Sequence, residues 1–425
     1  MNTRNTRLGT PRRTVGSNQV GMRQYNERVV LQAIRLRGAL PKADLARLTR
    51  LSTQAISAIV NGLLADGLVV KQARLRGRIG QPSVPFALDP DGAFTIGVKV
   101  GRRSLDVLAL DFLGQVRARD ALEYEFPDAQ VIFPEIRRQV EGLLRGLGPH
   151  AARVVGVGVA APLWIGGWGD FLGAPVGIMD AWNGIDIAAR VQAMTQLPVE
   201  FAKDTTAACA AELVMGRGRE LRNFLYLFIG TFIGGGLVLD GRLHLGPHGN
   251  AGAVGSLPLP LPPEGDARPR QLLHRASGLL LEQAFRRHGS PAIAAHDERA
   301  VSRSLWPLTS QWLDETGPAL AFTIASAAAM LDLDAVVIDG SMHREVVAEV
   351  VARTERVLDR HDWEGITRPR VMMGSVGADA RALGGAILPL YRHFAPLHDL
   401  YLKAAPEELP GVPERGRLLE VEPRE

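Results

Sequence analysis

An α/β protein with a basic winged helix-turn-helix ahead of a two-lobed body is what three features of the sequence predict. Charge is split along the chain: residues 1–80 hold 15 Lys and Arg against Glu27, Asp44 and Asp66, a net of +12, while the remainder holds 34 against 42, a net of −8. Apolar residues between Leu45 and Leu64 recur at helical spacing and lead into two short alternating strands around an Arg-rich tip. Farther on, a hairpin followed by a third strand occurs twice, at residues 94–124 and 224–244.

Length and composition set the outer bounds. A chain of 425 residues with 46% apolar and 22% charged content is globular and long enough for two to three domains. The single cysteine, Cys209, closes no intramolecular disulfide and builds no Cys-rich zinc cluster, which excludes a disulfide scaffold and a zinc finger and points to a reducing compartment. The longest charge-free apolar run, residues 224–239, is shorter than a membrane span and is broken by glycines. Residues 1–23 carry arginines but no apolar core of a signal peptide. A cytoplasmic protein with no membrane segment is the expectation.

Residues 1–22, with Arg4, Arg7, Arg12 and Arg13 and no acid, read as a basic disordered arm. Residues 23–89 read as the winged helix-turn-helix. Val30, Ala33 and Ile34 share a helical face; Gly38 and Pro41 end that helix and open a second at Lys42 with Leu45, Ala46 and Leu48 inward. A third runs through Ile56, Ile59, Val60, Leu63 and Leu64, with Ser52 as N-cap and Gly67 as stop. Residues 68–70 and Val84, Phe86 and Leu88 are strands flanking the wing tip at residues 71–81.

In this geometry the third helix enters the major groove of double-stranded DNA, and Ser52, Thr53, Gln54 and Ser57 near its start reach base edges or phosphates. Gln54 has the amide pair that adenine requires. Arg47, Arg50, Lys71, Arg74, Arg76 and Arg78, with Gln81, face phosphates or the minor groove. The alternative, a three-helix module that docks a protein through a solvated basic face, is disfavoured by the +12 excess together with the wing.

Residues 89–92, Asp-Pro-Asp-Gly, form a turn-rich joint. The repeated hairpin-plus-strand units beyond it suggest two related α/β lobes with a ligand cleft between them. Helices are expected at residues 205–215, 319–331 and 344–358, and a buried strand at residues 335–339.

Lys203-Asp204-Thr205-Thr206-Ala207-Ala208, the Gly-Thr-Phe-Ile-Gly-Gly-Gly turn at residues 230–236, Asp240-Gly241, Gly246 and Ala251-Gly252-Ala253-Val254-Gly255 together resemble the ROK family of sugar kinases and sugar-responsive repressors. The similarity runs from about Thr95 to Tyr391. It implies a duplicated actin/hexokinase-like (ribonuclease H-like) ATPase fold over residues 93–392, and the upstream module matches the repressor branch. Residues 393–425, rich in proline, depart from the family ending and read as an extension.

The resemblance also locates departures. Where family kinases read Asp-x-Gly-Gly-Thr in the first turn, this chain has Lys99-Val100-Gly101-Arg102-Arg103. A cation replaces the magnesium-side acid, and long side chains fill the phosphate approach, so transfer is expected to fall by orders of magnitude. Asp204 falls at the family's general-base and sugar-contact position, with Lys203 replacing the usual Asn; at a helix start it equally serves as a cap. Gly234 and Gly235 belong to the second Gly-rich turn, which reads either as a phosphate loop or as a tight turn keeping two strands adjacent. The family's Glu-x-Gly-His becomes Ala253-Val254-Gly255-Ser256, and its zinc knot becomes Leu257-Pro258-Leu259-Pro260-Leu261-Pro262-Pro263. Glu282 matches a further sugar contact.

No metal and no cofactor are therefore expected. His244, His248 and His274 read as ordinary histidines, and Trp164, Trp168 and Trp182 as core or sugar-stacking rings. Lys99, Lys203, Arg102 and Arg103 either bind an anionic effector or pair with acids such as Asp106 and Asp111. The resemblance implies a repressor of carbohydrate transport and catabolism genes, a homodimer or homotetramer controlled by a sugar or anionic sugar derivative. The alternatives are an ATP-dependent sugar kinase with an appended DNA-binding module, and a DNA-binding oligomer that takes no ligand.

Overall fold

The computed structural model describes residues 19–73, 83–166, 173–175, 177–260 and 270–396. Parts of the sequence reading lie outside them: residues 1–18 of the arm, the wing tip with Arg74, Arg76, Arg78 and Gln81, Trp168, residues 261–263 of the proline run, and the extension beyond residue 396. The chain divides into two units, Met1–Leu88 with Phe394–Glu425, and Asp89–His393.

In the first unit α1 (Gln19–Arg37), β1 (Leu40–Pro41), α2 (Lys42–Thr49), α3 (Thr53–Ala65), β2 (Val69–Lys71) and β3 (Pro85–Leu88) follow in order. Val30, Ile34, Leu45, Ile56 and Val60 are buried where the three helices meet. The helix α1 begins inside the stretch read as a disordered arm: residues 19–22 continue it, and Arg23 pairs with Glu27 one turn on at 2.9 Å. Helix α3 starts where Ser52 Oγ accepts the Ala55 amide at 3.2 Å and stops before Gly67, whose φ is +69°. The antiparallel sheet has the order β1-β3-β2. Strand β1, unforeseen because Gly38 and Pro41 read only as helix punctuation, pairs Leu40 with Phe86.

In the second unit β4 (Phe94–Val100), β5 (Ser104–Asp111) and β6 (Val116–Glu123) form an antiparallel meander, followed by α4 (Ala129–Leu147), β7 (Val154–Ala161), α5 (Ile187–Thr195), β8 (Val199–Lys203) and α6 (Asp204–Met215). The sheet order is β6-β5-β4-β7-β8, with β7 and β8 parallel to β4. The same pattern recurs in β9 (Phe224–Ile229), β10 (Ile233–Leu239) and β11 (Arg242–His244), joined by the parallel β12 (Ala335–Gly340) and β13 (Arg370–Met373) in the order β11-β10-β9-β12-β13. Two lobes of one topology are thus present.

The second lobe carries α7 (Leu273–Ala276), α8 (Gly278–Arg287), α9 (Trp306–Leu331), α10 (Arg344–Leu358) and α11 (Ala380–Phe394). Helix α9 starts well before the expected Ala319. Pro318 taken alone is a breaker, but Trp312, Leu313, Leu320 and Ile324 are buried on both sides of it and hold the helix through. Helices α6 and α11 share a cluster with both sheets that includes Leu108, Cys209, Tyr226, Phe228 and Ala386. Their approach is close: a Cβ on Gly384 of α11 would stand 1.8 Å from the Ala207 carbonyl of α6, and one on Gly158 of β7 would stand 1.8 Å from the Gly385 carbonyl.

Candidate functional site

A cavity of about 190 Å3 opens where both Gly-rich turns meet the head of α6. Its wall includes Gly101 and Arg102, Trp164 and Ile165 after β7, Lys203 to Thr205, Thr231 to Gly234, Asn250, Ala253, Ser256 and Arg381. Arg102, Lys203, Asp204 and Gly234 of the sequence-derived site therefore come together. Lys99, Gly235 and Glu282 are not on this wall.

Lys99 lies in the concavity of the first turn. A Cβ on Gly101 would meet Lys99 Cε at 2.6 Å, and Lys99 Nζ donates to Ser104 Oγ at 2.6 Å and Asp106 Oδ2 at 2.8 Å. Burial, with the charge of Arg381, lowers the Lys99 pKa to about 8 against the opposing pull of Asp106. Burial pushes Asp106 upward, but Lys99, Arg119 and Ser104 outweigh it and hold the carboxyl at about 2. Asp111 is engaged elsewhere, by Arg117 at 2.8 Å and the amides of Leu113 and Gln115.

Glu282 on α8 is fully buried and paired from within the protein. Arg103 donates to it at 2.6 Å, His296 Nε2 stands 2.9 Å away, and Arg102 Nη1 is at 3.7 Å. His296 is anchored in turn to the Ser341 carbonyl at 3.2 Å. Burial raises the Glu282 pKa, and His296, Arg103 and Arg102 together hold it below the usual carboxylate range. Arg103 belongs to the first lobe and Glu282 to the second, so the pair bridges them.

Asp204 opens α6. It is the first residue of the helix, after the N-cap Lys203; its Oδ1 accepts the adjacent Thr205 amide at 2.9 Å, which is not a capping bond, and its Oδ2 is 3.5 Å from Arg381 Nη1. Arg381 also stacks on Phe228, 4.9 Å from the ring centroid. Lys203 Nζ donates to Asn250 Oδ1 at 3.1 Å and to the Ala251 carbonyl at 3.3 Å, and burial lowers its pKa to about 8. In the second turn the glycines serve close packing: Cβ atoms on Gly234 and Gly236 would stand 2.8 Å and 2.4 Å from Thr205 and Cys209 of α6, and one on Gly235 2.5 Å from the Tyr226 carbonyl. The amides of Gly278 and Leu279 tie the turn to α8 through the Gly230 and Thr231 carbonyls.

A family model described as the ROK family matches residues 95–391. This chain belongs to the ROK family. Among sequence relatives, an uncharacterised protein of Sinorhizobium fredii is 25% identical over 87% of this chain and 91% of its own length. A transcriptional regulator of Mycobacterium tuberculosis is 27% identical over 74% of both chains. The xylose repressor of Bacillus subtilis is 20% identical, with 57% of this chain covering 62% of that protein, less than two thirds of its length. Among solved structures, a ROK family transcriptional regulator homologous to the Escherichia coli MLC protein superposes with a TM-score of 0.64 at 19% identity, covering 89% of this chain and 99% of that one. A ROK family glucokinase from Streptomyces griseus in complex with glucose and AMPPNP gives 0.55 at 22% identity, covering 70% of this chain and 99% of that one. At these identities the structures establish the fold: the body of this ROK protein is actin/hexokinase-like.

Elsewhere in this ROK protein, Ser52, Thr53 and Gln54 are exposed at the head of α3, while Ser57 accepts Lys42 Nζ at 2.9 Å. Arg47 is exposed and pairs with Asp44 at 3.0 Å. Trp164 is 66% exposed at the cavity, whereas Trp182 is buried and donates to the Pro127 carbonyl at 2.7 Å. His244, His248 and His274 are exposed, and among the described residues no cluster of His, Cys, Asp or Glu is arranged to hold a metal. No helix among the described residues is long and apolar enough to cross a membrane. Arg381 and His296 had no signal in the sequence, because neither belongs to a motif and each acts on a residue of another element.

Proposed function

We propose that this ROK protein is a DNA-binding transcriptional regulator, a repressor of carbohydrate transport or catabolism genes, whose α/β body senses a sugar-class small molecule instead of phosphorylating it. The first unit is a winged helix-turn-helix in this reading, and α3 is its recognition helix. The observation that carries it is the head of α3, where Ser52, Thr53 and Gln54 are exposed, in a unit that precedes the family body. The relatives named as a transcriptional regulator and a xylose repressor support the same reading. Effector binding alters the spacing of two such modules in a dimer or tetramer, and it acts only as far as the effector distinguishes the DNA-competent arrangement from the other.

The test is fluorescence anisotropy with DNA from upstream of the protein's own gene. Sequence-specific binding is expected, weakening steeply with salt because the basic module displaces counterions. Gln54→Ala is expected to cost roughly 1–3 kcal/mol at one base pair and to relax specificity there. Equal affinity for unrelated DNA, untouched by Gln54→Ala, would sink the proposal.

The glucokinase likeness supports a second reading, an active sugar kinase. Against it stands Lys99, which fills the first turn and neutralises Asp106. No sugar-dependent ADP release above background is expected from a coupled assay over neutral hexoses and pentoses, and saturable turnover would restore the kinase.

A further inference from the structure

The cleft's charge is unbalanced in a way that names a class of effector. Among the described residues three cations face the cavity, Arg102, Lys203 and Arg381, against one carboxylate, Asp204. Two other cations introduced nearby have found acids: Lys99 takes Asp106, and Arg103 takes Glu282. Arg103 and His296 take the short contacts to the two oxygens of Glu282 at 2.6 Å and 2.9 Å, which leaves Arg102 a longer ion pair with the same carboxylate and no hydrogen bond to it. Arg102 is left with 10% of its side chain exposed, 3.7 Å from Glu282, and with Nε and Nη1 buried and unbonded among the described residues. Among the described residues the hydrogen-bond acceptors of Lys203 are neutral, the Asn250 amide oxygen and the Ala251 carbonyl.

Guanidinium nitrogens buried without a hydrogen-bond acceptor are costly, and an oxyanion is the group that satisfies them best, since charge-assisted bonds to Arg are the stronger kind. Arg102 stays charged at neutral pH, because burial and the neighbouring Arg103 lower its pKa only to about 10. The other features of the cavity fix the remainder of the ligand. Asp204 is an acceptor suited to a hydroxyl, and the exposed ring of Trp164 offers a face for a sugar-like carbon skeleton.

We propose that the cleft binds a hydroxylated small anion, a polyol carrying a carboxylate or a phosphate, with its acid group on Arg102 and a hydroxyl on Asp204. This rests on the reading of the cleft as an effector site, and it adds the sign of the effector's charge. Acid and phosphate share the chemistry that Arg102 recognises, and the experiment separates them.

Calorimetric titration of the full-length protein with glucose, gluconate, glucose 6-phosphate and inorganic phosphate, at matched ionic strength, tests it. At least one hydroxylated anion is expected to bind at least about tenfold more tightly than glucose. Gluconate leading identifies a carboxylate effector, and glucose 6-phosphate leading, with weaker binding of inorganic phosphate, identifies a phosphorylated one. Arg102→Gln is expected to bring the preference for the anion back to near unity. Arg102 is crowded by Arg103 and reaches Glu282 only at 3.7 Å without a hydrogen bond, so its removal should leave the ligand-free Tm of that variant close to wild type, which shows it folded. Lys203→Gln, expected to reduce the preference by a smaller factor, is the second variant. Glucose binding as tightly as the anions, a preference that survives Arg102→Gln, or no binding of any probe at millimolar concentration overturns the proposal. DNA plays no part in these readouts. Failure of DNA binding with anion binding intact removes the regulatory reading alone, and equal affinity for glucose removes the charge assignment alone.

Discussion

Replacing Glu282 by glutamine is expected to destabilise the α/β body by roughly 3–5 kcal/mol, the cost of removing one partner from a buried ion pair. The carboxylate has no exposure and holds Arg103 and His296 directly, with Arg102 at 3.7 Å. An amide of the same shape keeps the volume but leaves these groups without their counter-charge. With a melting entropy of about 2.1 cal/mol/K per residue, a body of this size should melt roughly 5–8 °C lower. Because Arg103 and Glu282 sit on different lobes, hydrogen exchange should also accelerate in the β4–β5 turn and at the start of α8. Removing both charges, with Arg103→Gln added, should recover much of the loss, since the pair is worth far less than the penalty for half of it.

The pH dependence follows from the direction of the Glu282 shift. Its folded pKa is held below the ordinary value, so its contribution is complete above about pH 4.3, the unfolded value, and is lost as pH falls through the lower folded one. Melting curves of wild type and Glu282→Gln should therefore stay apart near neutral pH and converge in acid. A Glu282→Gln protein within about 1 kcal/mol of wild type at pH 7 would show that the buried network is not what holds the lobes together.

What the sequence reveals and what it hides divide along physical lines. The helix α3 was legible because Ile56, Ile59, Val60 and Leu63 repeat with the period of a helix, and all four are buried as that spacing requires. The lobe hairpins were legible because alternating strands around glycine turns are local. Lys99 and Asp106 lie on paired strands of one hairpin, and naming Asp106 as a partner needed only that register. Arg381 and Asp204, by contrast, are 177 residues apart, and Arg103 and Glu282 are 179. Both contacts depend on how the lobes and α11 assemble. Glu282 shows the consequence: its motif position reads as a sugar contact, and in the folded protein its oxygens are taken by Arg103 and His296.

Gly384→Ala is expected to be at least as damaging as the loss of Glu282, for a reason of shape. The added Cβ would lie 1.8 Å from the Ala207 carbonyl oxygen and 2.2 Å from its carbon, both backbone atoms of α6 that no rotamer change can move. The two helices would have to part by more than about 1 Å, and overpacking of this kind costs upwards of about 3 kcal/mol when backbone must shift. Gly146→Ala is the matched control: it is helical and exposed, nothing lies within 4 Å of the point where an added Cβ would stand, and it should be neutral or stabilise by about 0.4–1 kcal/mol. Thermal melts of the two variants decide the point, and similar Tm values for both would refute the packing argument. The effect should reach the cleft as well. Helix α11 carries Arg381 one turn before Gly384, and α6 carries Asp204 at its head, with 3.5 Å between their charged atoms. Any Gly384→Ala protein that folds must do so with α11 displaced from α6, which alters that separation and with it the charge that the cavity presents to a ligand.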